Sequence, residues 1–424
     1  MDSRSHADDT AARLQRLVED LKRRGCIRTA GVEAAFRGVP RHLFVPGAPL
    51  DDVYGDKAIP TKRSADGAFI SSSSQPAIMA LMLEQLGLAP GQRVLEIGAG
   101  TGYNAALMAH IVGETGEVTT MDIDEDLVAG AREHLAAAGF DRVRVACGDG
   151  GLGHPEAAPY DRIILTVGAW DITPGWREQL KPGGRLLLPL SIKGPQMCVA
   201  FEQADGHLQS VSIEECGFMA MRGAFAGPGG YVQIGEIKLG VADPGRIDRD
   251  AIGEWLNGPL RDLPTGIRVR TIEAFGPLTQ WLAFREPGYC SVAVPADAAD
   301  RGLIPDLFRW SGASVAPRYA LTVGVVGENA LCMLMRSPEA TAEPVAETTG
   351  AAPFEIYLRT CGPDDTLSHR VIQHINAWEA AGRPSRKGLR IRVYPREAGY
   401  RPVNGELVVD KRWSRLVLDW PRGE

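Results

Sequence analysis

A chain of 424 residues exceeds one ordinary domain, so two or three domains are expected. With 44% hydrophobic and 23% charged residues it has the composition of a globular protein with a sizeable core, and a net charge of −7 gives no electrostatic case for gripping a nucleic-acid backbone. Seven scattered cysteines (Cys26, Cys147, Cys198, Cys216, Cys290, Cys332 and Cys361) contain no CxxC pair and no zinc-spaced cluster; they read as reduced, mostly buried thiols, and no metal is expected. Met1–Arg24 lacks an apolar signal core and no stretch reaches the roughly 18 apolar residues of a membrane span, so the expected compartment is the cytoplasm, with no membrane partner.

In chain order, Leu14, Leu17, Val18 and Leu21 recur at helical spacing, and a second helix is expected near Val32–Arg37. Arg41–Val45 reads as extended between Pro40 and Pro46, and residues 51–75 as an ordered loop. An apolar helix follows over Ala77–Leu86, with Pro76 in its first turn and Ser74 or Gln75 at its cap. From Gln92 strands and helices alternate: Arg93–Ile97, Glu117–Asp122, Val143–Cys147, Arg162–Val167 and Arg185–Leu190 as strands, and Tyr103–Ile111, Glu125–Ala138 and Trp176–Leu180 as helices. That rhythm predicts a doubly wound, Rossmann-like α/β domain, with Met197–Gln203 and Leu208–Glu214 closing one edge. Beyond about Gly240 the rhythm fades into an α+β extension with strands at Ile267–Phe275, Ser291–Val294 and Ala320–Val326. A Pro/Ala/Glu/Thr-rich linker is expected over Ser337–Ala352, then a βαβ-like unit (Phe354–Arg359, Thr366–Ala381, Leu389–Tyr394) and final strands at Leu407–Asp410 and Ser414–Trp420. The expected domains are 1–235 (helices to 90, Rossmann-like core 91–235) and 236–424.

The chemistry centres on Val94-Leu95-Glu96-Ile97-Gly98-Ala99-Gly100-Thr101-Gly102. A strand running into three alternate glycines and then a helix is a nucleotide site, because glycine permits the tight turn and the close approach of backbone to ligand. A dinucleotide fingerprint would need glycine where Tyr103 stands, and Glu96 is a poor neighbour for a pyrophosphate. S-adenosylmethionine carries a sulfonium and an ammonium and no phosphate, so acidic surroundings suit it. Asp122, with Ile123 beside it, ends the next strand and can take the ribose hydroxyls; Asp149-Gly150 follows the third strand and can meet the adenine amino group. Cys147 reads as a buried small residue.

Arg41-His42-Leu43-Phe44-Val45-Pro46, Tyr54-Gly55-Asp56, Ile70 to Pro76, Val94 to Tyr103, Gly148-Asp149-Gly150-Gly151, Ala158-Pro159-Tyr160-Asp161 and Gln179 to Leu186 together resemble the protein-L-isoaspartate O-methyltransferase family over about residues 10–220. The resemblance implies that Glu96, Gly98, Gly100, Thr101, Gly102, Asp122, Ile123, Asp149 and Gly150 bind the cofactor. It also places Ser74 beside the transferring methyl as the catalytic candidate, with Asp56, Ser73 and Trp170 near the acceptor. A carboxylate with a pKa of about 4 is already ionised at neutral pH and needs no general base, so positioning and water exclusion carry the reaction.

Three features depart from that family: the longer stretch Lys57–Phe69, with its basic pair Lys62-Arg63; Gly168-Ala169-Trp170-Asp171 after the fourth strand, where small residues are usual; and about 200 further residues. Trp170 reads equally as core or acceptor pocket, and Lys62-Arg63 as solvated or as meeting an acidic peptide. The length resembles variants that accompany ribosomally synthesised, modified peptides and methylate an aspartate on the way to an aspartimide or isoaspartate. General isoaspartate repair is the alternative, and a silent peptide-binding scaffold a further one; the expected partner in each is a peptide or protein carrying aspartate or isoaspartate. Deleting residues 240–424 is expected to impair acceptor binding above cofactor binding, unless the two halves share a core.

Overall fold

The computed structural model describes residues 2–65, 67, 69–305, 307–310, 319–339 and 352–421 and divides into two compact units. The first comprises Met1–Ser191, Gln196–Gly227 and Arg390–Asp419; the second comprises Ile192–Pro195, Pro228–Leu389 and Trp420–Glu424. The first unit thus leaves the chain at Gly227, before the expected boundary at 235, and takes back a C-terminal segment.

It opens with helices α1 (Asp2–Arg23), α2 (Ala30–Gly38) and the short α3 (Leu50–Val53). Between α2 and α3, Arg41–Phe44 coils into one 3-10 turn instead of running extended, because Arg41 and Phe44 both turn inward and are wholly buried. The expected loop at 51–75 contains a hairpin, β1 (Ile59–Arg63) with β2 (Phe69–Ser73), whose alternation buries Ser71 and Ser73. Helix α4 (Pro76–Leu86) starts on Pro76, as expected, and ends on left-handed Gly87.

The alternating part follows: β3 (Arg93–Ile97), α5 (Tyr103–Val112), β4 (Glu117–Asp122), α6 (Glu125–Ala137), β5 (Arg144–Cys147), β6 (Tyr160–Leu165), α7 (Pro174–Gln179) and β7 (Leu180–Leu190). Strands β3 to β7 are parallel, and β8 (Met197–Ala204) and β9 (His207–Glu215) continue the sheet antiparallel. The hydrophobic strands of a parallel sheet must be covered by helices. Here Leu17, Leu21, Phe36, Leu83, Leu107, Met108 and Leu135 supply that cover in one continuous core.

The second unit is an antiparallel sheet with helices. It comprises β10 (Gly230–Ile234), β11 (Ile237–Val241), α8 (Arg249–Asn257), β12 (Arg261–Val269), α9 (Thr271–Glu273), α10 (Thr279–Arg285), β13 (Tyr289–Pro295), α11 (Ala296–Asp300), β14 (Phe308–Trp310), β15 (Tyr319–Val326), β16 (Leu331–Arg336), β17 (Phe354–Cys361) and α12 (Thr366–Ala380). Its strand order is β10-β11-β13-β15-β16-β17-β12, with β14 on β15. The strand expected at Ile267–Phe275 stops at Val269, since Glu273 accepts from Arg270 N (2.8 Å) and opens helical turns. Leu367, Val371, Ile375 and Trp378 line one face of α12 against Leu334, Ile356 and Leu358. Of the expected linker, residues 340–351 lie outside the described residues.

The chain then returns to the first unit as β18 (Arg390–Pro395), β19 (Leu407–Asp410) and β20 (Ser414–Asp419). The first sheet has ten strands among the described residues, ordered β19-β20-β18-β9-β8-β7-β6-β3-β4-β5. Two expectations change. Strand β9 is interior to the sheet rather than its edge, and β17 and β18 belong to different sheets, so no βαβ unit closes the chain. No helix among the described residues is long and apolar enough to cross a membrane, and none of their His, Cys, Asp or Glu groups could hold a metal ion.

Candidate active site

The carboxyl ends of β3, β4, β5 and β6 gather the candidate residues. At the turn after β3, Gly98 adopts φ +104°, and a Cβ there would come within 2.6 Å of Thr166 Oγ1, which itself donates to Gly98 O at 2.7 Å. Gly100 (φ +51°) donates its N–H to Asp122 Oδ2 at 3.0 Å. Gly102 begins α5, and His134 Nδ1 lies 3.0 Å from the carbonyl of buried Thr101. Tyr103 packs in the core at 5.4 Å from the Phe44 ring, so the position that denies a dinucleotide fingerprint is also a core position.

Glu96 is wholly buried and receives Thr120 Oγ1 and Asn104 Nδ2, each at 2.7 Å. Burial pushes its carboxyl up to about 7 against these two bonds. With no exposed surface, Glu96 is tied to α5 through Asn104 and to β4 through Thr120. Half-buried Asp122 also accepts from Asp124 N (3.3 Å), and Ile123 between them is 36% exposed. After β5, Asp149 caps the turn at Gly150–Leu152 by accepting from Gly151 N (3.0 Å), and its other oxygen accepts from Ala224 N (2.8 Å). Each carboxylate oxygen keeps a further lone pair for a ligand. Gly150 has no room for a side chain against Ile97. Cys147 is exposed, contrary to its reading as a buried thiol.

On the other side of the turn, a Cβ on Gly100 would be 3.7 Å from Ser72 O and 3.9 Å from Ser71 Oγ, so β2 runs alongside the glycines. Ser73 is buried and Ser74 half-buried where β2 passes into α4. Arg41 fixes that junction. Its buried guanidinium donates to Val53 O (2.8 Å), Gly55 O (3.4 Å), Lys57 O (3.2 Å), Ser73 O (3.3 Å), Ser73 Oγ (3.3 Å) and Ser74 O (2.9 Å). Desolvation lowers its pKa, and every one of these partners is neutral. Asp56 clamps the first turn of α4 through Ala77 N (2.8 Å) and Gln75 Nε2 (3.0 Å) and pairs with Arg24 (2.7 Å); its oxygens are engaged as a support.

Lys62 and Arg63 lie at the surface, Arg63 exposed, and both are engaged within the chain. Lys62 Nζ reaches Asp124 (2.9 Å) and Asp126 (2.6 Å), while Arg63 bonds Gly67 O (2.8 Å) and lies 3.7 Å above the Phe69 ring. Arg222 also pairs with Asp124, at 2.7 Å, and with Lys62 holds that carboxyl below its usual range. Trp170 is half-buried and donates Nε1–H to Phe225 O (3.1 Å). Thr166, Asp124 and the backbone of Ala224 belong to this site although sequence reading passes over them; for Asp124 the only signal is its place two residues after Asp122.

The acidic surroundings of the glycine turn fit a cationic adenosyl cofactor. The family model of protein-L-isoaspartate(D-aspartate) O-methyltransferase matches residues 12–224. The chain belongs to that family. A protein-L-isoaspartate O-methyltransferase of Methanopyrus kandleri is 40% identical over 211 residues, which is 49% of this chain and 91% of that protein. Another from Thermotoga maritima is 41% identical over 180 residues, 42% of this chain and 56% of that protein. A solved protein-L-isoaspartate O-methyltransferase structure aligns with 95% of this chain and 98% of its own, at 24% identity and a TM-score of 0.49. As a member of the family this chain is an O-methyltransferase, and its methyl donor is S-adenosylmethionine.

Proposed function

We propose that the chain methylates the carboxylate of an aspartate or isoaspartate residue within a peptide or protein, giving a methyl ester that closes to a succinimide. The observation supporting this reading is the passage of β2 beside Gly100, where Ser71 and Ser72 adjoin the glycine turn and Ser73 and Ser74 follow them in the chain. S-adenosylmethionine supplies an electrophilic methyl group on a sulfonium when bound. The chain's residues do the rest. Gly98, Gly100, Thr101, Gly102, Asp122, Ile123, Asp149 and Gly150 form the cofactor side. Arg41 holds the Ser73–Ser74 backbone through neutral acceptors, and its positive charge behind that backbone favours an incoming carboxylate. Ser74 is the group proposed to orient that anion; no base is needed, because the acceptor is already ionised.

Ser74→Ala is expected to slow methyl transfer at least about tenfold, the cost of about one hydrogen bond to a charged group, with unchanged cofactor affinity by calorimetry. A large loss of cofactor binding would refute the role given to Ser74.

General isoaspartate repair is the broader form of this function. A modified ribosomal precursor peptide is the narrower form, suggested only by the length of chain beyond the family match at residues 12–224. Labelled cofactor with a linear isoaspartyl peptide, set against a precursor encoded beside the gene, separates them. Brisk turnover of the linear peptide eliminates the narrower form, and labelling of the precursor alone eliminates general repair.

A further inference from the structure

Residues 219–225 run beside the loop after β6, where Gly168 N donates to Met219 O and Met221 N to Gly168 O, each at 2.8 Å. The segment then crosses the ends of β4 and β5. Arg222 takes both oxygens of Asp124 (3.1 and 2.7 Å), and Ala224 N takes Asp149 Oδ2 (2.8 Å). Gly223, at φ +90°, lies so close to Asp149 that no Cβ fits between them. The next residue, Phe225, covers Gly151, again with no space for a side chain beneath it. This strap is therefore pinned over the two strand ends whose carboxylates face the adenosyl half of the proposed cofactor position.

Its far end rests on the return strands. The Phe225 ring lies 4.9 Å from the Trp413 ring, and Trp413 lies 6.0 Å from Trp170, whose Nε1–H holds the Phe225 carbonyl. Trp413 is itself fixed, because its N–H donates to Asp171 Oδ2 at 2.7 Å and the neighbouring Ser414 hydroxyl donates to the other oxygen. Asp171 is 2% exposed and also takes Ile172 N at 2.7 Å, so it accepts from both chain segments at once. Trp170-Asp171 after β6 and a C-terminal segment beyond the family match, which ends at residue 224, are thus partners in one contact.

We infer that Trp413 is a positioning residue for cofactor retention: it seats Phe225 and so holds the Arg222–Ala224 strap over the adenosyl side of the glycine-turn pocket. This rests on the reading that S-adenosylmethionine occupies that pocket. The C-terminal return then governs how long the cofactor and its product stay bound, while the Ser74 side of the site is left to the acceptor.

The test uses the full chain, with S-adenosylmethionine affinity by calorimetry and release of labelled S-adenosylhomocysteine by rapid dilution. Trp413→Ala is expected to speed release and weaken affinity by about tenfold, the scale of one lost aromatic pair and its burial. Trp413→Phe restores most of the loss, and the acceptor KM at saturating cofactor is unchanged. Phe225→Ala gives the same loss without touching the return strands, and the double variant loses no more than either single one. Wild-type affinity and release in Trp413→Ala, or additive losses in the double variant, would overturn the inference. Failure of the unmutated chain to bind S-adenosylmethionine would overturn the cofactor reading itself, a separate result.

Discussion

Strands β3 to β6 and strands β18 to β20 share one sheet and contribute to it differently. The parallel set ends in loops that bring Gly98, Asp122, Asp149 and Thr166 together, which is where ligands bind in open α/β sheets. The return set pairs antiparallel and adds no loop to that pocket, yet Trp413 and Ser414 meet Asp171 across 242 and 243 residues of sequence. The candidate chemistry sits on the loops of the parallel set. The groups that steady those loops come partly from a segment beyond the family match at residues 12–224.

The sharpest way to break this comparison is to remove residues 390–424. Three strands leave the sheet, the edge of β9 is exposed, and Asp171 loses Trp413 and Ser414. The truncated chain is expected to be insoluble, which soluble yield and circular dichroism read directly; a soluble fragment with full cofactor affinity would show the return to be dispensable. This is also why deleting 240–424 cannot report on the acceptor alone.

Next in size, Asp171→Ala leaves buried N–H and O–H donors without an acceptor and should cost about 3 kcal/mol in urea unfolding. Asp149→Ala should show a different profile, with a smaller stability loss of about 1 kcal/mol from the lost turn cap and a cofactor Kd raised about tenfold or more by calorimetry. Equal stability losses in the two variants would erase the distinction between brace and site.

Glu96 supplies a pH test. Its folded carboxyl holds a proton up to about pH 7, whereas at its ordinary value of 4.5 the unfolded chain releases it. The folded state binds more protons in that window, so the stability contributed by Glu96 falls as pH rises from 4.5 to 7 and is flat above. Glu96→Gln should remove this slope, worth up to about 3 kcal/mol at pH 8, in paired unfolding curves across pH. The smallest effect is expected from Lys62→Met, whose ion pairs are largely at the surface; its Tm should stay within about 3 °C of wild type.

How much of this was legible in the sequence depends on the range of the interactions. Strands β3 to β9 follow from local periodicity and from glycines whose positive φ nothing else adopts without strain. The hairpin at 59–73 did not, because a Ser- and Gly-rich stretch resembles a loop until its alternate serines are seen to be buried. Arg41–Phe44 looked extended between two prolines, but burying Arg41 among six acceptors required a turn. The placement of β18 beside β9 rests on contacts such as Ile391 N to Ser210 Oγ, 181 residues apart, which no local pattern encodes. The same holds at the site. Asp122 and Asp149 were visible from their places after strands, whereas the inward turn of Glu96, the pairing of Asp124 with Lys62 and Arg222, and the meeting of Trp170 with Trp413 are tertiary facts.

The most direct test of the central claim is the base lability of the methyl group transferred. Purified full-length chain is incubated with labelled S-adenosylmethionine and an aspartyl or isoaspartyl peptide, and the peptide is then exposed to mild base. Carboxyl methylation predicts label in the peptide that is released as methanol, leaving succinimide. Label that survives base, on nitrogen or as an ether, would contradict a carboxyl acceptor and with it the role given to the Ser73–Ser74 side of the site.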